Sequence, residues 1–182
     1  MHRPTDDRTF TVEDSAIVLV DHQAGTIGWA GELASQDERD QVKMWVLTLA
    51  RFAKSAGAAV VLTSCQEDQQ QGPLLPELEE FLPEEYHARS QRKGVINAWD
   101  DLAFTDAVRV TGKTNLVMAG VSTDVCLVPP ALSAKAEGFE VVALLDISAA
   151  TGEDRRAEQS GPAAGGRHRT AERRTNDHQH AR

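Results

Sequence analysis

Two residues, Cys126 and Asp21, hold the types and positions that could do chemistry together. From Met118 to Leu127 the chain reads MAGVSTDVCL: an apolar run meets Gly120, a small polar segment follows, and Cys126 leads into a stretch rich in helix formers. Strand, tight turn, cysteine, helix is an order that presents a nucleophile. The thiolate gains from the positive end of the following helix dipole, and nearby backbone N–H groups can hold an oxyanion. The same segment also fits a small buried cysteine with no chemical task. Asp21 closes the short apolar run Ala16 to Val20, and is followed directly by His22 and Gln23. A carboxylate in reach of the thiol could take its proton and return it to a leaving amine.

The elements that would position these residues follow from periodicity. Ala16 to Val20, Ala58 to Thr63, Asn115 to Ala119 and Phe139 to Leu145 are continuous apolar or β-branched runs, the pattern of strands buried on both faces. Val95 and Ile96 suggest a further brief strand. Helical spacing runs from Asp37 to about Ser55, through Val42, Trp45, Val46, Leu49, Phe52 and Ala53, with Gly57 as its stop. A second helix is expected over Asp101 to Thr111, with Leu102, Phe104, Ala107 and Val108 inward, and a third over Cys126 to Glu137, stopped by Gly138. Gly25 to Gly31 reads as a loop. Gln66 to Gln91, with Gly72-Pro73, Pro76 and Pro83, reads as loops around a short helical piece at Glu77 to Phe81. Strands alternating with helices argue for an α/β fold with a parallel sheet, whose ligands sit beyond the carboxyl ends of the strands. That rule places Asp21, Cys65, the Ser122 to Cys126 segment and Asp146 on one edge.

Length allows one domain with a substantial core, and two cysteines make no disulfide framework. No run approaches the roughly 18 apolar residues of a membrane span, so the expected setting is cytoplasmic, where a free thiol persists. The net charge of −9 argues against general nucleic-acid binding. It is unevenly spread. From Glu153 onward seven Arg stand against five acidic residues, leaving 12 basic and 23 acidic residues before it. The segment 151–182 has no Ile, Leu, Val or aromatic residue and cannot bury enough surface to offset its ordering entropy. The expected organisation is therefore a domain over 1–150 and a tail, disordered or frameshift-derived, over 151–182.

AIVLVDHQAG, INAWDD and MAGVSTDVCL together resemble the three sequence blocks of the isochorismatase-like cysteine hydrolases, nearest to a subgroup of small bacterial hydrolases of unassigned substrate. The likeness covers about residues 10–150. It implies a three-layer α/β/α fold of Rossmann-like topology and an Asp-Lys-Cys triad without metal or other cofactor. Asp21 matches the acid/base aspartate and Cys126 the nucleophile. The turn from Gly120 to Thr123 matches the one in which the family holds a non-proline cis peptide before the position of Ser122. Backbone N–H groups at Ser122 and Cys126 are the implied oxyanion donors, with Val121 in the same turn. Lys93, four residues before Asn97, matches the lysine by its offset from the second block, with Arg92 as the alternative when counted back from Cys126. The two differ chemically, since lysine can share a proton beside a thiolate and arginine cannot. Trp99 and Gln23 are expected in the substrate pocket, with Trp29 and Phe104 as further aromatic candidates. His22 and Cys65 are read as structural, and Asp100-Asp101 as the cap of the next helix. The nicotinamidase branch binds metal through an Asp and a His pair after the second strand, where this chain reads SCQEDQQQGP.

The implied activity is metal-independent hydrolysis of a small amide or related C–N bond through a thioester. Two other readings stand beside it: a truncated, catalytically impaired member acting only in binding or assembly, and vinyl ether hydrolysis by Asp21 without the cysteine. The subgroup usually continues beyond Asp146 with a helix, a strand and a closing helix, where here the Arg-, Ala-, Gly- and His-rich segment follows. The expected partners are a small-molecule substrate and, as the family's habit, further copies of the chain, an assembly this C-terminal departure would disturb.

Overall fold

The computed structural model describes residues 10–30, 33 and 35–149. Five parallel strands form one sheet in the order β3-β2-β1-β4-β5. They are β1 (Ser15–Val20), β2 (Ala59–Cys65), β3 (Ser90–Arg92), β4 (Asn115–Gly120) and β5 (Glu140–Ala143). The four apolar runs all form strands, and β1 is buried at every position because β2 and β4 flank it and helices cover both its faces. Strand alternation sends Ile17, Leu19 and Leu62 into one core and Ala16, Val18, Val61, Leu116 and Met118 into the other. The first is closed by α2 (Gln36–Ala56), the second by α5 (Leu102–Val110) and α6 (Val128–Ala136). This is the expected three-layer α/β/α arrangement.

The helix boundaries follow from local chemistry. Ser35 and Glu38 form a capping box at the start of α2: Ser35 Oγ accepts from Glu38 N and Glu38 Oε2 accepts from Ser35 N. Gly57, in the left-handed region at φ 65°, ends it. Asp101 caps α5 by accepting from Phe104 N at 2.9 Å. Not every apolar residue counted as inward turns inward. Val42, Val46, Ala50 and Ala53 make the buried stripe of α2, while Trp45 and Phe52 are exposed, and Leu102 at the first turn of α5 lies outside the core. Helical spacing marks a face and is blind to how far around the helix that face extends.

Several expectations are corrected. Gly25 to Gly31 contains a short helix, α1 (Ala24–Trp29), rather than a loop throughout. The short helix α3 (Glu77–Phe81) falls where expected, but a second, α4 (Pro83–Ala88), follows it with Pro83 in its first turn. Val95 and Ile96 form no strand; β3 lies three residues earlier, on the polar triplet Ser90-Gln91-Arg92, paired to Thr63, Ser64 and Cys65. Cys126 does not open a regular helix. It lies in a π-helical turn, Thr123–Leu127, and α6 begins after it. Val142 in β5 and Leu145 just after it are 40% and 44% exposed, leaving apolar surface at that edge of the sheet. The expectation for the segment 151–182 concerns residues outside those described. Among the described residues no helix is long and apolar enough to cross a membrane.

Candidate active site

The sheet reverses its direction of growth between β1 and β4, and in parallel sheets the crevice beyond such a switch point is where ligands bind. Asp21 follows β1 there, and the turn carrying Cys126 follows β4. Their side chains lie close enough that each influences the other's titration. Asp21 is 4% exposed and has φ 57°, a left-handed conformation that costs a non-glycine residue about 1–2 kcal/mol. Such strain is characteristic of positions where a fold aims a functional group. The close approach of the cysteine turn depends on Gly120: a Cβ there would meet the Cys126 carbonyl carbon and oxygen at 2.9 and 2.8 Å.

The cation beside Asp21 is Arg92. Its Nη2 reaches both carboxylate oxygens, at 2.5 Å to Oδ1 and closer to Oδ2. Nε donates to Thr63 Oγ1 at 3.1 Å, and Nη1 donates to the carbonyls of Val95 at 2.5 Å and Ile96 at 3.3 Å. Lys93, the residue preferred for this place from sequence, is exposed and lines a neighbouring cavity with Asp68. The geometry thus brings the alternative, Arg92, to the aspartate. The reason is register. Arg92 pairs with Cys65 at the end of β2, next to β1, and neighbouring side chains on a strand point to opposite faces.

The electrostatics differ from the sequence expectation of a stabilised thiolate. Burial pushes the Cys126 thiol strongly up, the Asp21 charge adds to this, and Arg92 only partly opposes it. The resting cysteine is therefore a thiol beside the Asp21 carboxyl. Burial also raises the Asp21 carboxyl, against the opposing pull of Arg92 and the hydrogen bonds it receives. A carboxylate raised in this way is a better proton acceptor than a free one.

Of the expected oxyanion donors one is engaged, as is Val121 in the same turn. Val121 N donates to Val20 O at 3.1 Å, and Cys126 N to Ser122 O at 2.6 Å. Ser122 N has no hydrogen-bond acceptor among the described residues. The Val121–Ser122 peptide is cis, as the resemblance implied.

Asp21, Cys126, Arg92 and Ser122 line one cavity of about 470 Å³, walled further by Trp29 and Ile96. Trp99 is elsewhere, packed edge-on against Phe104 and Phe139 at 5.9 and 5.7 Å, with Nε1 donating to Glu137. Both Trp99 and Phe104 are core residues, which corrects the pocket expectation for them. Gln23 does border the cavity, but its amide is occupied: Nε2 donates to the carbonyls of Cys65 and Gly72, and Oε1 accepts from Cys65 N. It clamps the 66–72 loop over the site. Gln66 and Gln71, from the patternless segment after β2, also wall the cavity; Gln66, at φ 48°, is the other non-glycine residue with positive φ among those described. Cys65 is half-buried in the same wall.

His22 is fully buried, with Nε2–H donating to Ile147 O at 2.8 Å, so it holds the 145–147 turn and stays neutral. Burial lowers its pKa to about 4 from 6.5. The native state therefore refuses a proton that the unfolded chain accepts, and stability present above pH 6.5 is lost as pH falls toward 4. The loss expected from this group is about 3 kcal/mol. Urea midpoints between pH 7 and 4 should show it, and His22→Gln should remove most of the slope.

Among the described residues no group of three His, Cys, Asp or Glu side chains could hold a metal ion. Residues 15–163 match the isochorismatase domain. The chain belongs to the isochorismatase family. Its similarity to the probable hydrolase YcaC of Escherichia coli strain K12 is 43% identity over 135 residues, 74% of this chain and 62% of that protein. The chain thus spans less than two thirds of the length of that curated relative. Among solved isochorismatase-like structures, it resembles the YcaC gene product of E. coli, described as an octameric hydrolase of unknown specificity. The TM-score is 0.73 at 37% identity, covering 86% of this chain and 73% of that one. YcaC from Pseudomonas aeruginosa, solved with hexane-2,5-diol and covalent acrylamide, gives a TM-score of 0.73 at 39% identity, covering 84% and 72%.

Proposed function

We propose that the chain is a metal-independent cysteine hydrolase cleaving a small amide or related C–N bond. The observation that carries this reading is the pairing of Asp21 and Cys126 at the wall of one substrate-sized cavity. Asp21 takes the thiol proton as Cys126 Sγ bonds to the amide carbon, so a free thiolate need not accumulate. The carbonyl oxygen becomes an oxyanion within the turn, where Ser122 N–H is the donor with capacity to spare. Asp21 then returns the proton to the nitrogen as the C–N bond breaks, leaving a thioester on Cys126. It next takes a proton from the water that hydrolyses the thioester, and the thiol is restored. Arg92 keeps Asp21 ionised and oriented. It is a permanent charge and moves no proton, unlike the lysine expected from the resemblance.

Assembly with further copies is part of the same proposal. It rests on the octameric description of the E. coli relative and on Met44, Trp45 and Phe52, which lie exposed along α2. A reducing, cytoplasmic setting would keep Cys126 available.

The test is a thioester trap. Acid quenching during turnover of an accepted amide, followed by peptide mass analysis, should find the acyl increment on the peptide containing Cys126. Turnover with Cys126 unmodified at every quench time would rule out the covalent route.

A further inference from the structure

The charge inventory of the reaction cavity says what kind of substrate it accepts. Among the described residues that line it, Asp21 and Arg92 are the charged side chains; the rest are apolar or neutral polar. Those two are salt-bridged, and the Arg92 side chain is fully buried. A guanidinium has five N–H donors. Each of its three nitrogens is engaged: Nε with Thr63 Oγ1, Nη1 with the Val95 and Ile96 carbonyls, and Nη2 with the Asp21 carboxylate. With every nitrogen engaged and the side chain fully buried, Arg92 offers no exposed donor to a substrate anion. The nearest lysine in sequence, Lys93, lines a separate cavity that shares Trp29, Gln66 and Gln71 with this one, and there it is accompanied by Asp68.

We propose that the site selects uncharged amides and rejects substrates bearing a carboxylate near the reacting carbon. This rests on the cysteine hydrolase reading of the same site and narrows it to a substrate class. A carboxylate entering the cavity would lose its water and meet a compensated cation beside an ionised aspartate. A neutral carboxamide loses far less solvation and can use the neutral donors and acceptors of Gln66, Gln71 and the turn. The same charge balance weighs against an anionic vinyl ether as substrate.

The test uses two small thiol reagents that differ in charge alone, iodoacetamide and iodoacetate, which are too short to reach past the inner cavity. Their second-order rates at Cys126 are followed by peptide mass analysis in a Cys65→Ser background. The ratio of the two rates is divided by the same ratio for N-acetylcysteine. The normalised preference for iodoacetamide should be about ten-fold or more, the scale on which uncompensated burial of a charge acts. In Asp21→Asn the guanidinium loses its counter-charge, and the preference should fall to about one or invert. Because each ratio is taken at a single thiol, the change in Cys126 reactivity caused by losing Asp21 cancels. A wild-type ratio near one, or a Cys126 that iodoacetamide fails to reach, overturns the proposal. The readout needs no turnover, so it separates from the thioester trap. A preserved charge preference without a thioester sinks the catalytic reading alone, and a thioester with no charge preference sinks the selectivity alone.

Discussion

Cys126→Ala should lower hydrolysis of any accepted amide by about 10⁴-fold or more while leaving the unfolding midpoint nearly unchanged. Acyl transfer to the enzyme needs a nucleophilic atom at the place where Asp21 can take its proton, and Sγ of Cys126 is that atom. With it gone, Asp21 could still activate a water, but water would have to be ordered from solvent and attack without the covalent step that splits the barrier. The structural effect is small because one heavy atom is removed from a side chain at the cavity wall, and Leu127, Phe104 and Met118 still fill the adjoining core. Parallel rates of ammonia release and urea midpoints check both halves. A variant keeping more than a tenth of the activity would overturn the nucleophile assignment and return attention to chemistry by Asp21 alone. The same geometry predicts no unusual thiolate at neutral pH, since burial and the Asp21 charge hold the proton on sulfur until substrate is in place.

Much of this arrangement was legible before any coordinates. Strands buried on both faces leave continuous apolar runs, so β1 and β4 could be read with Asp21 and Cys126 at their ends, and a parallel sheet then forces both onto one edge. The third member was harder to see. Ser90-Gln91-Arg92 contains no apolar residue because it is a three-residue edge strand held by β2, and its inward position takes a salt-bridged arginine. The apolar pair Val95-Ile96 drew the expected strand away from it. Those residues serve through their carbonyls, which hold Arg92, and a carbonyl leaves no mark in sequence. Lys93 lies one residue past the end of β3, so a one-residue change in offset moves the choice from the buried strand end to the exposed bend after it. Trp99 was misplaced for a related reason. It stands beside the family block, but Phe104 and Phe139, distant from each other in sequence, close around it and make it core.

The strongest test of that third member is Arg92→Met, which should destabilise the fold by about 3–5 kcal/mol, the cost of leaving one half of a buried ion pair. Methionine fills much of the volume but supplies none of the five contacts. The Asp21 carboxylate, already raised by burial, loses the cation that opposes the shift. Ile96 O loses its donor, Val95 O keeps only the long contact from Cys65 Sγ at 3.9 Å, and Thr63 Oγ1 keeps only Ser90 Oγ as a donor, so the loop after β3 loses most of its tie to the sheet. Activity should fall as well, because an Asp21 that becomes protonated cannot accept the thiol proton. Adding Asp21→Asn should recover part of the lost stability, since removing both charges spares the cost of an unpaired one. A double-mutant cycle should therefore show coupling of about 2 kcal/mol or more between the two positions. Denaturant midpoints of the four proteins measure it. If Arg92→Met costs less than about 1 kcal/mol and shows no coupling, Arg92 is not the group that keeps Asp21 charged, and the exchange of lysine for arginine at this site falls with it.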